Sequence, residues 1–247
     1  MSKPTTRSKR RRAIKIILKD RQMQKVRALF SIRNAGTIAL LSLSGLAVSL
    51  SCLRAEPAAK PTAYTAISPI FSQLVAFSQP SNFVAVYEDA NAMQYMLEAV
   101  PKGETVEKWT QMITVTGAKD LAANTKAPPA AFADVIAGGF KKSCPKTYSA
   151  IGISNAQIAG HDAFAAVASC GSLGEGKGAH SETTLIVAIR GARDYYTIQW
   201  SQRSKPSSKP IQIDDAAWTE RFNQLAPIRL CPIVKGEKPP YPSCVTR

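Results

Sequence analysis

Residues 35–51, AGTIALLSLSGLAVSLS, run for seventeen residues without a charge and divide the chain into two parts that follow different rules. Ahead of them, residues 1–34 hold twelve basic side chains against a single acid, Asp20. Behind them polarity returns at once, in Cys52-Leu53-Arg54-Ala55-Glu56-Pro57. A positive flank, a short apolar core and small residues at its end are the parts of a secretory signal. A helix needs roughly 20 apolar residues to cross a bilayer, so this run is short for a permanent span. The flank is long for a signal; a start at Met23 in place of Met1 would leave Lys25, Arg27 and Arg33, a conventional flank. Arg11-Arg12 stands too far ahead of the apolar core to act as a twin-arginine signal.

Three fates of this segment stay open. Ser49 and Ser51, or Ala55, offer the small residues that signal peptidase reads, which would release a soluble body. Cys52 is a candidate for lipidation, although Ser49 holds the place three before it where a lipoprotein signal wants an aliphatic residue. An uncleaved anchor is the third. All three put the body outside the cytoplasm, touching a membrane only through this segment. Residues 1–55 are therefore assigned to the signal or anchor, and 56–66 (EPAAKPTAYTA, broken by Pro57 and Pro61) to a linker. Residues 67–230 are assigned to one folded domain and 231–247 to a Pro-rich tail.

The formal charge of +15 taken whole points to a polyanion binder, but its distribution excludes one. Thirteen of the 32 basic residues and one of the 17 acidic ones lie in residues 1–55, leaving 19 against 16 and a body of only +3. A nucleic-acid partner is not expected. Hydrophobic content of 45% with 20% charged residues also excludes disorder for the body.

Beyond Cys52 there are four cysteines, Cys144, Cys170, Cys231 and Cys244, an even number suited to two disulfides in an exported protein. Four cysteines allow three connectivities. The sequential one, Cys144–Cys170 with Cys231–Cys244, is the simplest, and its second bridge would close the tail around Pro232, Pro239, Pro240 and Pro242. No spacing is the CxxC of a redox or zinc site.

Within the body, Phe83 to Tyr87, Met93 to Val100 and Met112 to Thr116 read as strands, and Thr105 as the N-cap of a short helix holding Trp109. Pro129 opens a helix with Phe132, Val135, Ile136 and Phe140 on one face and Lys141 and Lys142 at its negative end. Gln157 to Ala159 and Ala163 to Ser169 read as a hairpin around Gly160-His161-Asp162. Leu185 to Ile189 and Tyr195 to Trp200 are strands joined by the turn 190–194. Residues 204–210 are a loop, after which Asp214 or Asp215 caps a helix facing inward with Trp218, Phe222 and Leu225. Short connections favour antiparallel pairing, so the fold class expected is α+β, a mainly antiparallel sheet with helices packed over it.

This order, with Phe83 to Tyr87, Val100-Pro101-Lys102-Gly103-Glu104-Thr105-Val106-Glu107-Lys108-Trp109, Met112 to Thr116 and the closing strand pair and helix, resembles the PsbP-like α/β sandwich, a group that includes envelope lipoproteins of the DcrB type. The resemblance covers most of residues 67–227 and implies a non-enzymatic envelope or accessory protein. The calcium or manganese sites of that group have no matching carboxylate cluster here.

Residues 171–178 (GSLGEGKG) match a phosphate loop superficially, but Gly178 stands where Ser or Thr should hold magnesium, and a strand follows in place of a helix. His161 and His180 flank one strand and are expected at opposite ends of it, too far apart for a shared metal site with Asp162. Neither has an orienting acid and nucleophile in a recognisable pattern. Glu88, Asp89, Glu98 and Glu104 form a loose acidic set, and Trp109, Trp200 and Trp218 fall on apolar faces. No catalytic, cofactor-binding or metal-ligating residue is assigned, and no cofactor is expected. The function expected is an exported, non-enzymatic binding or structural module that takes an envelope protein or a small ligand. Two alternatives are a hydrolase with His161 or His180 as base and an inhibitor acting through residues 171–180.

Overall fold

The computed structural model describes residues 62–245; the signal segment, Cys52 and most of the linker lie outside them. Within the described residues ten strands form two antiparallel sheets. In chain order they are β1 (Ala63–Ile70), β2 (Gln73–Pro80), β3 (Phe83–Ala90), β4 (Gln94–Pro101), β5 (Gln111–Ala118), β6 (Tyr148–Ile158), β7 (His161–Leu173), β8 (His180–Arg190), β9 (Tyr195–Ser204) and β10 (Arg229–Pro232). The larger sheet has the order β3-β4-β5-β9-β8-β7-β6 and the smaller β1-β2-β10. Helices α1 (Pro129–Ser143), α2 (Asp215–Gln224) and the short α3 (Pro242–Val245), with 3-10 turns at Leu121–Ala123 and Gly176–Gly178, complete the described elements.

Local chemistry explains the tight connections. Asn91 Oδ1 accepts from the backbone N–H groups of Met93 and Gln94 and turns β3 into β4. Ala159 and Gly160 both have positive φ, 51° and 77°, the backbone of the two-residue hairpin between β6 and β7. Gly191 N–H bonds Asp194 C=O across the β8–β9 turn.

The expected antiparallel sheet is present, and helices cover it only in part. One face of the larger sheet, carrying Ile113, Val115, Val187, Ile198 and Trp200, packs chiefly on the smaller sheet through Ile70, Val75, Phe77 and Leu230. Only beside that second sheet does α2 cover it, with Trp218, while Leu225 follows directly after the helix. On the outer face α1 covers β7 and β8 through Phe132, Ala133 and Ala137. Phe132 stacks on Tyr195 at 4.8 Å. The alanines, rather than Val135, complete this contact, because Ala168 and Ala188 of the sheet let the helix sit close.

Other expectations are also corrected. Strand β1 begins inside the expected linker, because Tyr64 and Thr65 find a partner in β2 that propensity alone does not reveal. The tail is not separate from the domain. Strand β10 runs through Cys231 into Pro232, and Tyr241 and Cys244 pack on Leu74 and Ala76 of the smaller sheet. No helix forms at Thr105, where a local loop competes for the same groups. Thr105 Oγ1 takes the Lys108 N–H, and the Glu104 carboxylate takes the N–H and hydroxyl of Thr110. The disulfides are Cys144–Cys170, which ties the end of α1 to β7, and Cys231–Cys244, which ties the tail to β10.

Gly117 marks a close approach between the larger sheet and the β1–β2 hairpin. A Cβ there would stand 2.4 Å from Ile70 Cγ2 and 3.1 Å from Phe71 Cε2. Gly117→Ala is expected to destabilise the domain by about 1–3 kcal/mol through overpacking. Urea unfolding checks this, and an unchanged midpoint would show that β1 yields freely.

Candidate functional site

The apolar core ends in a polar row. On the inner face of the larger sheet, Ile151, Val167, Leu185, Trp200 and Ile113 stand side by side across five strands. Two residues further along each strand, still on that face, the row is Ser149, Ser169, Thr183, Gln202 and Gln111. The Ser169 and Thr183 hydroxyls lie 2.7 Å apart, and Ser149 Oγ donates to Ile211 C=O at 2.7 Å. Trp200 Nε1–H donates to Gln111 Oε1 at 2.9 Å. Ser169 is fully buried, whereas Ser149, Thr183, Gln202 and Gln111 keep partial contact with solvent.

Helix α2 brings a cation to this row. Asp214 caps the helix by accepting the Ala217 N–H, which sets the face carrying Trp218 and Arg221 toward the sheet. The Arg221 guanidinium lies 4.5 Å from the ring centre of Trp218 and 5.1 Å from that of Trp200. Its Nη1 donates to Gln202 Oε1 at 2.9 Å. Burial pulls its pKa down from the usual arginine value. Among the described residues no carboxylate forms an ion pair with it. The loop that carries Lys205 and Lys209 is pinned across the Ser149 end of the row, where Ser207 N–H bonds Gly171 C=O.

Arg203 is the contrasting case. It also lies over a tryptophan, 3.7 Å from the Trp109 ring centre, but its Nε meets Glu182 Oε2 at 3.4 Å. One stacked guanidinium is neutralised and the other is not.

A second concavity lies between the sheets where their edge strands β1 and β3 come together. It is a cleft of about 180 Å³ lined by Ala66, Phe77, Ala85, Leu97, Ala99 and Val115. Three facing alanines leave this space. Tyr64 and Gln79 are bonded to each other at its wall, and Gln79 is buried. The cleft suits a small apolar group and lacks a charged anchor.

The residues weighed from the sequence do not converge. His161 opens β7, paired with Ile158, and His180 opens β8 opposite Leu173, so the length of the thirteen-residue strand β7 separates them. Asp162 bonds Gln157 rather than either histidine. His180 Nδ1 meets Gly178 C=O at 2.9 Å and its Nε2 stands 3.8 Å from Glu182, with no hydroxyl or thiol partner among the described residues. Glu98 and Glu88 fall on opposite faces of the sheet, Glu88 bonded to Tyr95, while Glu104 is spent on Thr110. No group of three or more His, Cys, Asp or Glu side chains among the described residues is placed to hold a metal. Residues 171–180 hold the last three residues of β7, a connection with a 3-10 turn at Gly176–Gly178 and the first residue of β8, and a strand follows, so the phosphate-loop reading has no helix N-terminus to use.

Sequence reasoning missed Arg221. Its signal is an absence along the helix: positions 217, 218, 224 and 225, three and four residues away, are Ala, Trp, Gln and Leu, none of which can neutralise it.

No protein-family profile matches the chain, and no curated protein matches it in sequence. Among solved structures, the Ran-binding protein Mog1p of Saccharomyces cerevisiae is 11% identical, with 66% of this chain and 85% of that one covered and a TM-score of 0.37. LpqN of Mycobacterium tuberculosis, described as involved in cell envelope biogenesis, is 11% identical over 70% of this chain and 93% of its own, with a TM-score of 0.34. A protein of Bacteroides thetaiotaomicron is 12% identical over 66% of this chain and 47% of its own, with a TM-score of 0.33. Likenesses at this level transfer neither a family nor an activity.

Proposed function

We propose that this chain is an exported, non-enzymatic binding module of a bacterial-type envelope. The observation that carries the reading is the pair of disulfides, each of which fastens the end of one element to a strand of a different one. Such bridges persist in oxidising compartments and are reduced in the cytoplasm. The basic flank and apolar run of residues 1–55 supply the matching address. The PsbP-like resemblance of residues 67–227 points the same way. The binding surface is the polar row on the inner face with Arg221 above it, which offers hydroxyls, amides and a cation for holding a ligand. The described residues around it include no histidine or carboxylate placed to move a proton.

The test is the intact mass of protein from its native host, measured with and without reductant and after alkylation. The expected result is a chain beginning near Cys52 or Glu56 whose thiols at 144, 170, 231 and 244 resist alkylation until reduced. A diacyl or triacyl addition on Cys52 would make it a tethered lipoprotein and support the same reading. Four freely alkylated thiols on a chain that retains residues 1–55 would overturn it.

A further inference from the structure

A guanidinium has five N–H donors and no acceptor, and water or an anion ordinarily takes those that the protein does not. At Arg221 the guanidinium carbon lies over the rings of Trp218 and Trp200, and a ring face accepts none of its N–H groups as a carboxylate would. Among the described residues one protein acceptor meets them, the neutral oxygen of Gln202. The group is half-buried, so water solvates it incompletely, and its lowered pKa reflects that desolvation. Partial burial also strengthens its attraction for any negative charge brought alongside. Arg203, in the same kind of stack, already has its carboxylate in Glu182. The neighbours of Arg221 in the row, Gln202, Gln111 and Thr183, are uncharged and hydrogen-bonding, and none repels an anion.

We propose that Arg221, backed by Trp200 and Trp218 and flanked by Gln202, Gln111 and Thr183, binds an anionic oxygen group, a carboxylate or a phosphate, carried by the ligand of this module. The proposal deepens the binding-module reading and rests on it. The anion completes a bidentate, charge-assisted pair with the guanidinium, and the amides and the Thr183 hydroxyl bond the polar atoms next to it.

The two tryptophans report occupancy directly. The disulfide-bonded protein is titrated with inorganic phosphate and, separately, with the sugar carboxylate glucuronate, with ionic strength held constant by chloride, while tryptophan emission is followed. A saturable change is expected with at least one probe, and the stronger response identifies the phosphate or the carboxylate source. Arg221→Met keeps the packed stem but removes the donors, and is expected to weaken the response roughly tenfold or more. Arg221→Lys keeps the charge without the fork and falls between the two. Arg203→Met, at the neutralised stack, leaves the response in place. Circular dichroism and the unfolding midpoint confirm that each variant folds, and if Arg221→Met does not, the same comparison is made with the near-isosteric Thr183→Val, expected to weaken the response by a smaller factor. No saturable change with either probe, or the same change in folded Arg221→Met, overturns the proposal. The mass measurement is independent, so disulfides and export found without an anion response would discard this site and leave the exported module standing.

Discussion

Reduction of both disulfides is expected to bring the domain to the edge of unfolding at neutral pH. Cys144 and Cys170 are 26 residues apart, and Cys231 and Cys244 are 13 apart. Loop-closure entropy alone then assigns about 3.5 kcal/mol to the first bridge and about 3 kcal/mol to the second. Together these approach the whole stability of an ordinary domain, about 5–15 kcal/mol. The two bridges should also fail differently. Cys144–Cys170 anchors α1, whose Phe132, Ala133 and Ala137 cover the outer face of β7 and β8, so replacing both cysteines by alanine should loosen the helix and lower the urea midpoint of the whole domain. Cys231–Cys244 holds the tail over Leu74 and Ala76. Replacing that pair should free residues 233–245 to protease and to hydrogen exchange while the larger sheet keeps its protection. A reductant-insensitive unfolding midpoint would mean that the packed sheets suffice without either bridge.

What the sequence revealed follows from how local each determinant is. Helix α1 was legible because Pro129, the apolar spacing and Lys141-Lys142 all lie within a few turns of one another. The turn before Asp194 and the Asp214 cap are equally local. The start of strand β1 was not legible, because Pro57 and Pro61 mark 56–66 as a linker, and only pairing with β2 shows otherwise. Strand β6 extends well ahead of the Gln157 to Ala159 segment that its sequence marks, because small residues such as Ala150, Gly152 and Ser154, together with a bulge at Ile153, erase its alternation.

The candidate site is harder to read than the fold for the same reason. Ser149, Ser169, Thr183, Gln202 and Gln111 come from five strands, and only the pairing register aligns them. A single slip of one residue on any strand would turn its member to the opposite face. The three tryptophans were expected in the core and all are at least nine-tenths buried. That burial is what makes Arg221 unusual, since the rings beneath it are fixed parts of the core rather than mobile surface groups.

Asp194 carries the second large expected effect. Placed in the sequence as a turn residue, it is 1% exposed and joins the two sheets. One carboxylate oxygen accepts the Ser72 N–H at 3.1 Å, the Ser72 hydroxyl and the Tyr196 hydroxyl at 3.2 Å; the other accepts the Asp120 N–H at 2.8 Å. Burial alone would raise its pKa, but these donors outweigh it and hold the carboxyl below the usual aspartate value. Asp194→Ala removes the acceptor for all of them at a place water reaches poorly, and should cost roughly 3–5 kcal/mol. Asp194→Asn puts an amide N–H₂ where donors already point and should recover little of that. The sign of the pH dependence follows from the lowered pKa. The group's contribution is fully present above the ordinary aspartate pKa of about 4 and is lost as pH falls through its folded value. Urea midpoints of wild type and Asp194→Ala, measured from neutral pH downward, should therefore differ by a constant amount until about pH 4 and converge below it. A gap that stays constant into strong acid would mean that the carboxylate's charge contributes nothing, and that the hub holds the sheets together only by filling its place in the packing.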